Sequence, residues 1–409
     1  HYVGAEDDSK ASEHFGAAGE AALRAGAFRE TTILLSRAIS LAPASAPESV
    51  LAQHKRRLAS AWYRLGDLPQ STERAEEAVR VFDRDVPKAG LRLVGRIVAE
   101  LVTQVAHRVA PSRAVAEAPL DRRDDLRSAV SLYQNLSEVY YLGGLQGPSV
   151  YAALRQVNVA ERTGPSHELA EAYGVLAIIA GAIGRRSLSQ RYEGLAESVV
   201  RTLENPRARA MFLHQRALTG AAFGDFDRVV REETEAASIF ERLGELGRRR
   251  DALGLLGTTQ YLASRYDDAE ATLLSLLQTR TGDDRFVQEI WGTAWLGAIA
   301  LARGRTAEAV PYLERSVALL DKNTVGLMEI SCVGMLGAAE LRLGQAGGLA
   351  KIDRAYDLIA RNKGRPTGHI SLDGYTAVAD AYLTAAAEAA PAAGKESGRR
   401  AEQACRWLE

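Results

Sequence analysis

Apolar residues recur at intervals of three and four along nearly the whole chain, and strand-like alternation is absent. The pattern is plainest after residue 250. Leu253, Leu256, Gly257 and Gln260 share one face, the run breaks at Ser264-Arg265, and Ala269, Leu273, Leu276 and Leu277 form a second stripe. Residues three and four apart stack on one side of a helix, so each such stretch predicts a helix, a turn of a few residues and a second helix. Residues 91–109 read as one long apolar helix, followed over 110–120 by an irregular segment whose two prolines block helix continuation. Asp121 then suits the opening of the next helix.

The breaks come at a fixed period. Glycine stands at positions 144, 184, 224, 304 and 344, and Ser264 takes the remaining slot, so five consecutive intervals are equal. A period of about 40 residues predicts stacked helix pairs, each unable to bury its apolar face alone. The glycine suits a helix C-cap in the left-handed region, where a Cβ is penalised, so Ser264 is expected to leave its turn slightly strained or reshaped. The rhythm fails once, because Gly66 and Gly144 stand two positions short of a double interval.

The bulk numbers add limits. The chain has 409 residues, 46% of them hydrophobic, and a stacked array can bury such a core by growing along one axis. A net charge of −1 argues for neither a nucleic acid nor a membrane partner. Seven lysines against 44 arginines match GC-rich bacterial coding, an association rather than a physical argument. Cys332 and Cys405 cannot form a disulfide framework, so a reducing, cytoplasmic setting is expected. No run of about 18 uncharged apolar residues predicts a membrane span. The chain starts without Met and stops inside a helical pattern, which reads as a segment of a longer protein.

Chemistry is sparse. No Gly-rich phosphate loop, His-Glu-x-x-His pair, Cys-x-x-Cys or Gly-x-Ser-x-Gly elbow occurs, so no catalytic residue, cofactor or metal is expected. His14, His54 and His107 sit alone within helices and read as structural. Cys332 reads as a small buried hydrophobe. The Glu232-Glu233 and Asp267-Asp268 pairs and the Arg248-Arg249-Arg250 run read as solvated helix faces.

The slots around the turns resemble tetratricopeptide repeats. That family places a small residue seven positions before the turn glycine, an aromatic two after it and an alanine twelve after it. Gly19, Gly26, Phe28 and Ala38 fill these slots first, with Pro43 closing the unit; Ala59, Gly66, Leu68 and Ala78 follow. Ala217, Gly224, Phe226 and Ala236 match later, as do Gly257 and Gly297 before their turns. The usual repeat is about 34 residues long, so the longer period here implies longer helices or linkers. The resemblance implies an all-α, right-handed superhelical solenoid of about nine helix pairs. We expect an N-terminal pair of repeats over 1–88, the long helix and proline-containing insertion or hinge over 89–125, and a regular array, truncated at its C-terminus, over 126–409.

A second resemblance rests on the opening His-Tyr, on Leu-Tyr-Gln-Asn-Leu-Ser-Glu-Val-Tyr-Tyr (132–141) and on the segment 151–162. Their order is similar to the repeat region of bacterial class III adenylate or guanylate cyclases and related AAA/STAND-type ATPases. Cyclase aspartates and a Walker motif are both missing here. The resemblance therefore implies a non-catalytic interaction or sensor region regulating an ATPase or cyclase module. In such arrays first-helix positions line the concave face, and those slots hold Gln134, Glu138, Tyr141, Glu171, His214, Thr258, Tyr261 and Trp291. Aromatics beside hydrogen-bonding groups suit a peptide or helix anchor, while covered superhelix core is the plainer alternative. Small residues at other groove slots (Gly174, Gly181, Gly254, Ala294, Gly334) fit either a partner backbone or close helix packing. The expected partner is a protein or peptide, including the attached module, with self-association as a further option. An inducer-sensing domain resembling the maltose-regulator type of activator, and a passive assembly scaffold, are the competing readings.

Overall fold

The computed structural model describes residues 7–110, 118–279, 286–321, 328–364, 369–388 and 391–408. Among the described residues there is no strand, and nineteen α-helices occur. Eighteen of them follow one another as nine helix pairs, eight of which are joined by tight turns among the described residues. The pairs are α1 (Asp8–Arg24) with α2 (Phe28–Ser40), and α3 (Glu48–Leu65) with α4 (Leu68–Phe82). After the unpaired α5 (Gly90–Val109) come α6 (Leu120–Leu142) with α7 (Gln146–Ala160), α8 (His167–Ala182) with α9 (Arg186–Leu203), and α10 (Pro206–Ala222) with α11 (Phe226–Arg242). Then follow α12 (Leu246–Leu262) with α13 (Tyr266–Gln278), α14 (Phe286–Ala302) with α15 (Thr306–Leu320), α16 (Glu329–Arg342) with α17 (Gly348–Arg361), and α18 (Leu372–Glu388) with α19 (Pro391–Arg406). This is the helical-repeat solenoid the spacing predicts.

The period has a local cause. Each of the eight intra-pair turns among the described residues holds one residue in the left-handed region, with φ of 74° at Gly224, 71° at Gly304 and 57° at Ser264. Ser264 keeps the turn rather than reshaping it: its N–H reaches the Tyr261 carbonyl at 2.8 Å, and Arg265 N–H reaches Gln260 at 2.8 Å. Left-handed residues also stand midway along the period, between pairs, at Gly164, Glu204, Gly244 and Gly364. Two such stops per repeat leave room for helices of 16 to 18 residues from α8 to α12. Those lengths are why the period exceeds that of the usual tetratricopeptide unit.

Close approach within a pair rests on size complementarity. A Cβ on Gly257 would lie 2.6 Å from the Leu273 side chain, and one on Gly297 would lie 2.6 Å from Leu313 Cγ. The small residue seven before the turn is therefore a socket for the leucine nine after it. A hydroxyl adds to the seam in three pairs. Ser71, Ser149 and Ser189 donate to the carbonyls of Ala59, Ser137 and Ala177, each at 2.9 Å.

The helices divide into two compact units, with the boundary between Ala252 and Leu253. The first is filled by Tyr133, Leu136, Tyr140, Tyr151 and Val157, among others. The second is filled by Val333, Ile352, Ile359, Tyr375 and Val378. The long helix read over 91–109 is α5, and Pro119 precedes α6. Residues 111–117 of the proline-containing hinge lie outside the described residues. No helix among the described residues is long and apolar enough to cross a membrane.

Candidate functional site

In the first unit the inner side chains come from successive first helices. Gln134 Nε2 on α6 donates to Glu171 Oε2 on α8 at 3.1 Å and to Glu138 Oε1 at 3.5 Å. Arg207 on α10 bridges Glu171, at 3.2 Å, and Glu245, at 2.9 Å. Gln215 clasps the Glu171 backbone carbonyl at 3.0 Å. Glu171 is thereby a buried acid tied to the first helices on either side of its own. Arg248, at the start of α12, donates to Asp251 at 3.4 Å. Burial opposes its charge, but Asp251, Glu138 and Glu171 outweigh that and hold the guanidinium firmly protonated. Burial, then Glu138, pushes the Tyr63 phenol well up. Tyr141 stands at the same offset before its turn as Tyr63 and is exposed.

His214 on α10 pairs instead with its own second helix, through Glu233 Oε1 at 2.8 Å. Burial alone would lower the imidazole pKa, but Glu233 and then Asp251 raise it above its ordinary value. Burial raises the Glu233 carboxyl as well. Both shifts mean that the folded pair holds its proton more tightly than the unfolded chain does. Its stabilisation is therefore complete below an unfolded imidazole value of about 6.5 and fades as pH rises through the raised value. The urea midpoint of the parent should fall from about pH 6.5 to about pH 8.5 relative to His214→Gln/Glu233→Gln. Parallel pH profiles would show that the pair carries no linked proton.

In the second unit, Thr258 is buried and spends its hydroxyl on the Gly254 carbonyl of its own helix, at 2.8 Å. Trp291 on α14 covers Gly254, where a Cβ would lie 3.6 Å from its ring. Tyr261 stacks on the buried Trp295, centroids 5.2 Å apart, and donates to Asp373 Oδ1 on α18 at 3.0 Å. Beside it lies an open cavity of about 470 Å³, lined by Tyr261, Ala298, Met335, Arg342, Asp373 and Thr376 with their neighbours. Every lining residue belongs to a first helix: α12, α14, α16 or α18. Burial raises the Asp373 carboxyl, which favours a hydrogen-bonding over a purely ionic role.

The structure thus links Gln134, Glu138 and Glu171 directly, seats Tyr261 on a cavity, and leaves Thr258 without a free hydroxyl. Arg248 and Asp373 complete these surfaces and were not among the sequence candidates. Two charge readings are corrected. Glu232 and Glu233 are buried, paired with Arg216 at 2.8 Å and with His214, because the second helix turns them toward α10. Arg250 is buried, and Arg248 is half-buried and faces the acids of α6 and α8. Two of the groove glycines serve close packing: a Cβ on Gly174 would strike Gln215, and one on Gly334 would lie 3.0 Å from the Gly374 carbonyl. Cys332 is buried, and burial pushes its thiol up to about 12, which makes it inert as a nucleophile. Among the described residues no three His, Cys, Asp or Glu side chains gather at metal-binding distance.

No protein-family model matches the chain. No curated protein matches it either. Solved structures do. The crystal structure of a Rap protein complexed with Competence and Sporulation Factor aligns over 98% of this chain and 96% of that one, at 13% identity and a TM-score of 0.52. A STAND protein with a tetratricopeptide repeat sensor from Pyrococcus horikoshii aligns over 91% of this chain and 55% of that one, at 11% identity and 0.49. Aspartyl phosphate phosphatase F from Bacillus subtilis aligns over 90% and 94%, at 12% identity and 0.47. At these identities the likeness speaks for fold. The chain has a tetratricopeptide-like helical-repeat fold.

Proposed function

We propose that this chain is a non-catalytic recognition region whose first-helix face binds a peptide or a helix of a protein partner. The observation that carries this is the cavity of about 470 Å³ walled by first helices alone, with Tyr261, Arg342, Asp373, Thr376 and Asp380 as its polar groups and Arg342 paired to Asp380 at 3.1 Å. A mostly apolar concavity with a few fixed donors and acceptors suits an extended or helical peptide better than it suits chemistry. The fold admits such a role, since a Rap protein of this fold has been solved with a bound factor. In the first unit, taken by itself, Gln134, Glu138, Tyr141, Glu171 and His214 are the residues proposed for the same kind of recognition. Occupation of this face would bias an attached ATPase or cyclase module between states, by differential binding to the two.

The experiment is selection of peptides on the chain from a displayed random library, followed by titration of the best binder. Tyr261→Ala and Trp291→Ala should each weaken binding by about 1–3 kcal/mol, as truncated aromatic anchors do. Arg342→Gln should weaken it while leaving helix content unchanged. Selected peptides that bind all three variants as tightly as the parent would place recognition elsewhere.

A further inference from the structure

Helix α5 is docked with its polar side inward. Glu100, Gln104 and His107 are buried, whereas Leu91, Val94, Val98, Leu101 and Val105 are between 46% and 91% exposed. Val102 and Val109 widen the same stripe. The inward contacts are specific. Asn158 on α7 donates to Glu100 Oε2 at 2.7 Å, Gln104 donates to Glu161 at 2.9 Å, and Tyr192 on α9 donates to Gln104 at 2.9 Å. His107 and Arg108 both close on Glu161. Turning α5 half a revolution to hide its aliphatics would leave Asn158 and Glu161 buried without these partners. The outward apolar face is therefore enforced by the body of the first unit.

That face is unlike any other among the described residues. Spacings of three and four run from Leu91 to Val105, the period of a packing seam between helices. Its exposed residues carry a single charge, Arg92, which is tied to Asp85 at 2.9 Å. Elsewhere among the described residues, large exposed aliphatics come one or two to a helix. Seven together expose several hundred Å², close to the roughly 800 Å² per partner of a specific interface and beyond what monomers usually leave bare.

We propose that two copies of this chain associate through α5, their aliphatic stripes packed antiparallel about a two-fold axis. A neutral stripe of this length calls for a neutral stripe of equal length and period, and among the described residues the one such surface is α5 itself. An isologous contact meets that condition without further design. The antiparallel arrangement follows from Arg92, which a parallel pair would set against its own copy. It also aligns the helix dipoles favourably. This proposal is independent of the peptide-binding face.

Sedimentation velocity on the intact chain, from about 1 to about 100 µM, tests it. A dimer is expected, weakened at least tenfold by Val98→Glu and by Leu101→Glu, each with unchanged helix content. Ile33→Glu, at an exposed isoleucine on α2, should leave the dimer intact. A parent that stays monomeric throughout overturns the proposal, as does a dimer that both α5 variants preserve. A monomer that floats with phosphatidylcholine vesicles and loses that ability on Val98→Glu assigns the face to a lipid surface, and equally overturns it. Should Val98→Glu unfold, Val102→Ser and the parent's own mass still decide.

Discussion

Replacing Arg155 by Met should cost the first unit about 3–5 kcal/mol, the largest loss expected from any single substitution here. Arg155 on α7 forms a two-pronged pair with Asp83, Nε to Oδ2 and Nη2 to Oδ1, both at 2.7 Å. Both side chains are nearly buried, at 11% and 14% exposure. The same carboxylate accepts from Tyr133 at 2.8 Å, and that phenol also donates to the Arg84 carbonyl at 2.9 Å. Asp83 ends α4, Tyr133 lies on α6 and Arg155 on α7, so one carboxylate joins two helix pairs where the repeat rhythm fails. Met matches the length of the arginine stem but leaves the Asp83 charge without its main partner, and that orphaned charge is the source of the loss. Burial raises the Asp83 pKa on its own, but Arg155 more than reverses this and holds the carboxyl below its usual range. The parent's urea midpoint should therefore fall in acid as Asp83 protonates, while Arg155→Met loses that acid dependence. An Arg155→Met stability within about 1 kcal/mol of the parent, the resolution of linear extrapolation, would show the pair to be dispensable.

Why so much of the fold was legible lies in the turns. A left-handed C-cap strongly favours glycine, so Gly144, Gly184, Gly224, Gly304 and Gly344 mark helix ends without any tertiary information. The stops between pairs were harder to see because Glu204 fills one of them and carries no glycine signal. Size complementarity across a pair was visible at one partner only: Gly257 and Gly297 stood out, while Leu273 and Leu313 looked like ordinary core. Charge was the least legible. Whether Arg248 or Glu233 is solvated depends on which acids or bases the neighbouring helices bring, and Glu138, Glu171 and His214 come from other helices. The apolar pattern of α5 marked a helix over 91–109 but not which of its sides faces the body. The buried polar groups of α7 and Glu161 turn its polar side inward, a tertiary demand no local period encodes.

The candidate recognition surface shows the same division. Tyr63, Tyr141 and Tyr261 occupy one slot, three residues before their turns, so the slot itself was readable. What each tyrosine does is set elsewhere. Tyr261 is fixed by Asp373, far along the chain, whereas Tyr141 stands exposed at the end of α6. Repeats therefore announce where their inner face lies, while the chemistry of that face is written by contacts between repeats.

Gly297→Val should destabilise the second unit by about 1–3 kcal/mol through overpacking, and the partner responsible can be named. A Cβ at 297 would lie 2.6 Å from Leu313 Cγ, on a side chain that is itself fully buried and cannot swing clear. Gly304 supplies the contrast. A Cβ there meets nothing within 4 Å, but its φ of +71° penalises any β-branched residue by about 1–2 kcal/mol through the backbone alone. The two glycines fail for different reasons, and a second substitution separates them. Leu313→Ala should recover part of the loss caused by Gly297→Val, because it vacates the volume that the new side chain needs. The same change should add its own cavity cost of about 2–5 kcal/mol to Gly304→Val, with no recovery. Urea midpoints of the two single glycine variants, Leu313→Ala and both double variants decide the matter. Additive losses in both combinations would mean that Gly297 is not a socket for Leu313, and that close approach of α14 and α15 does not depend on the missing side chain.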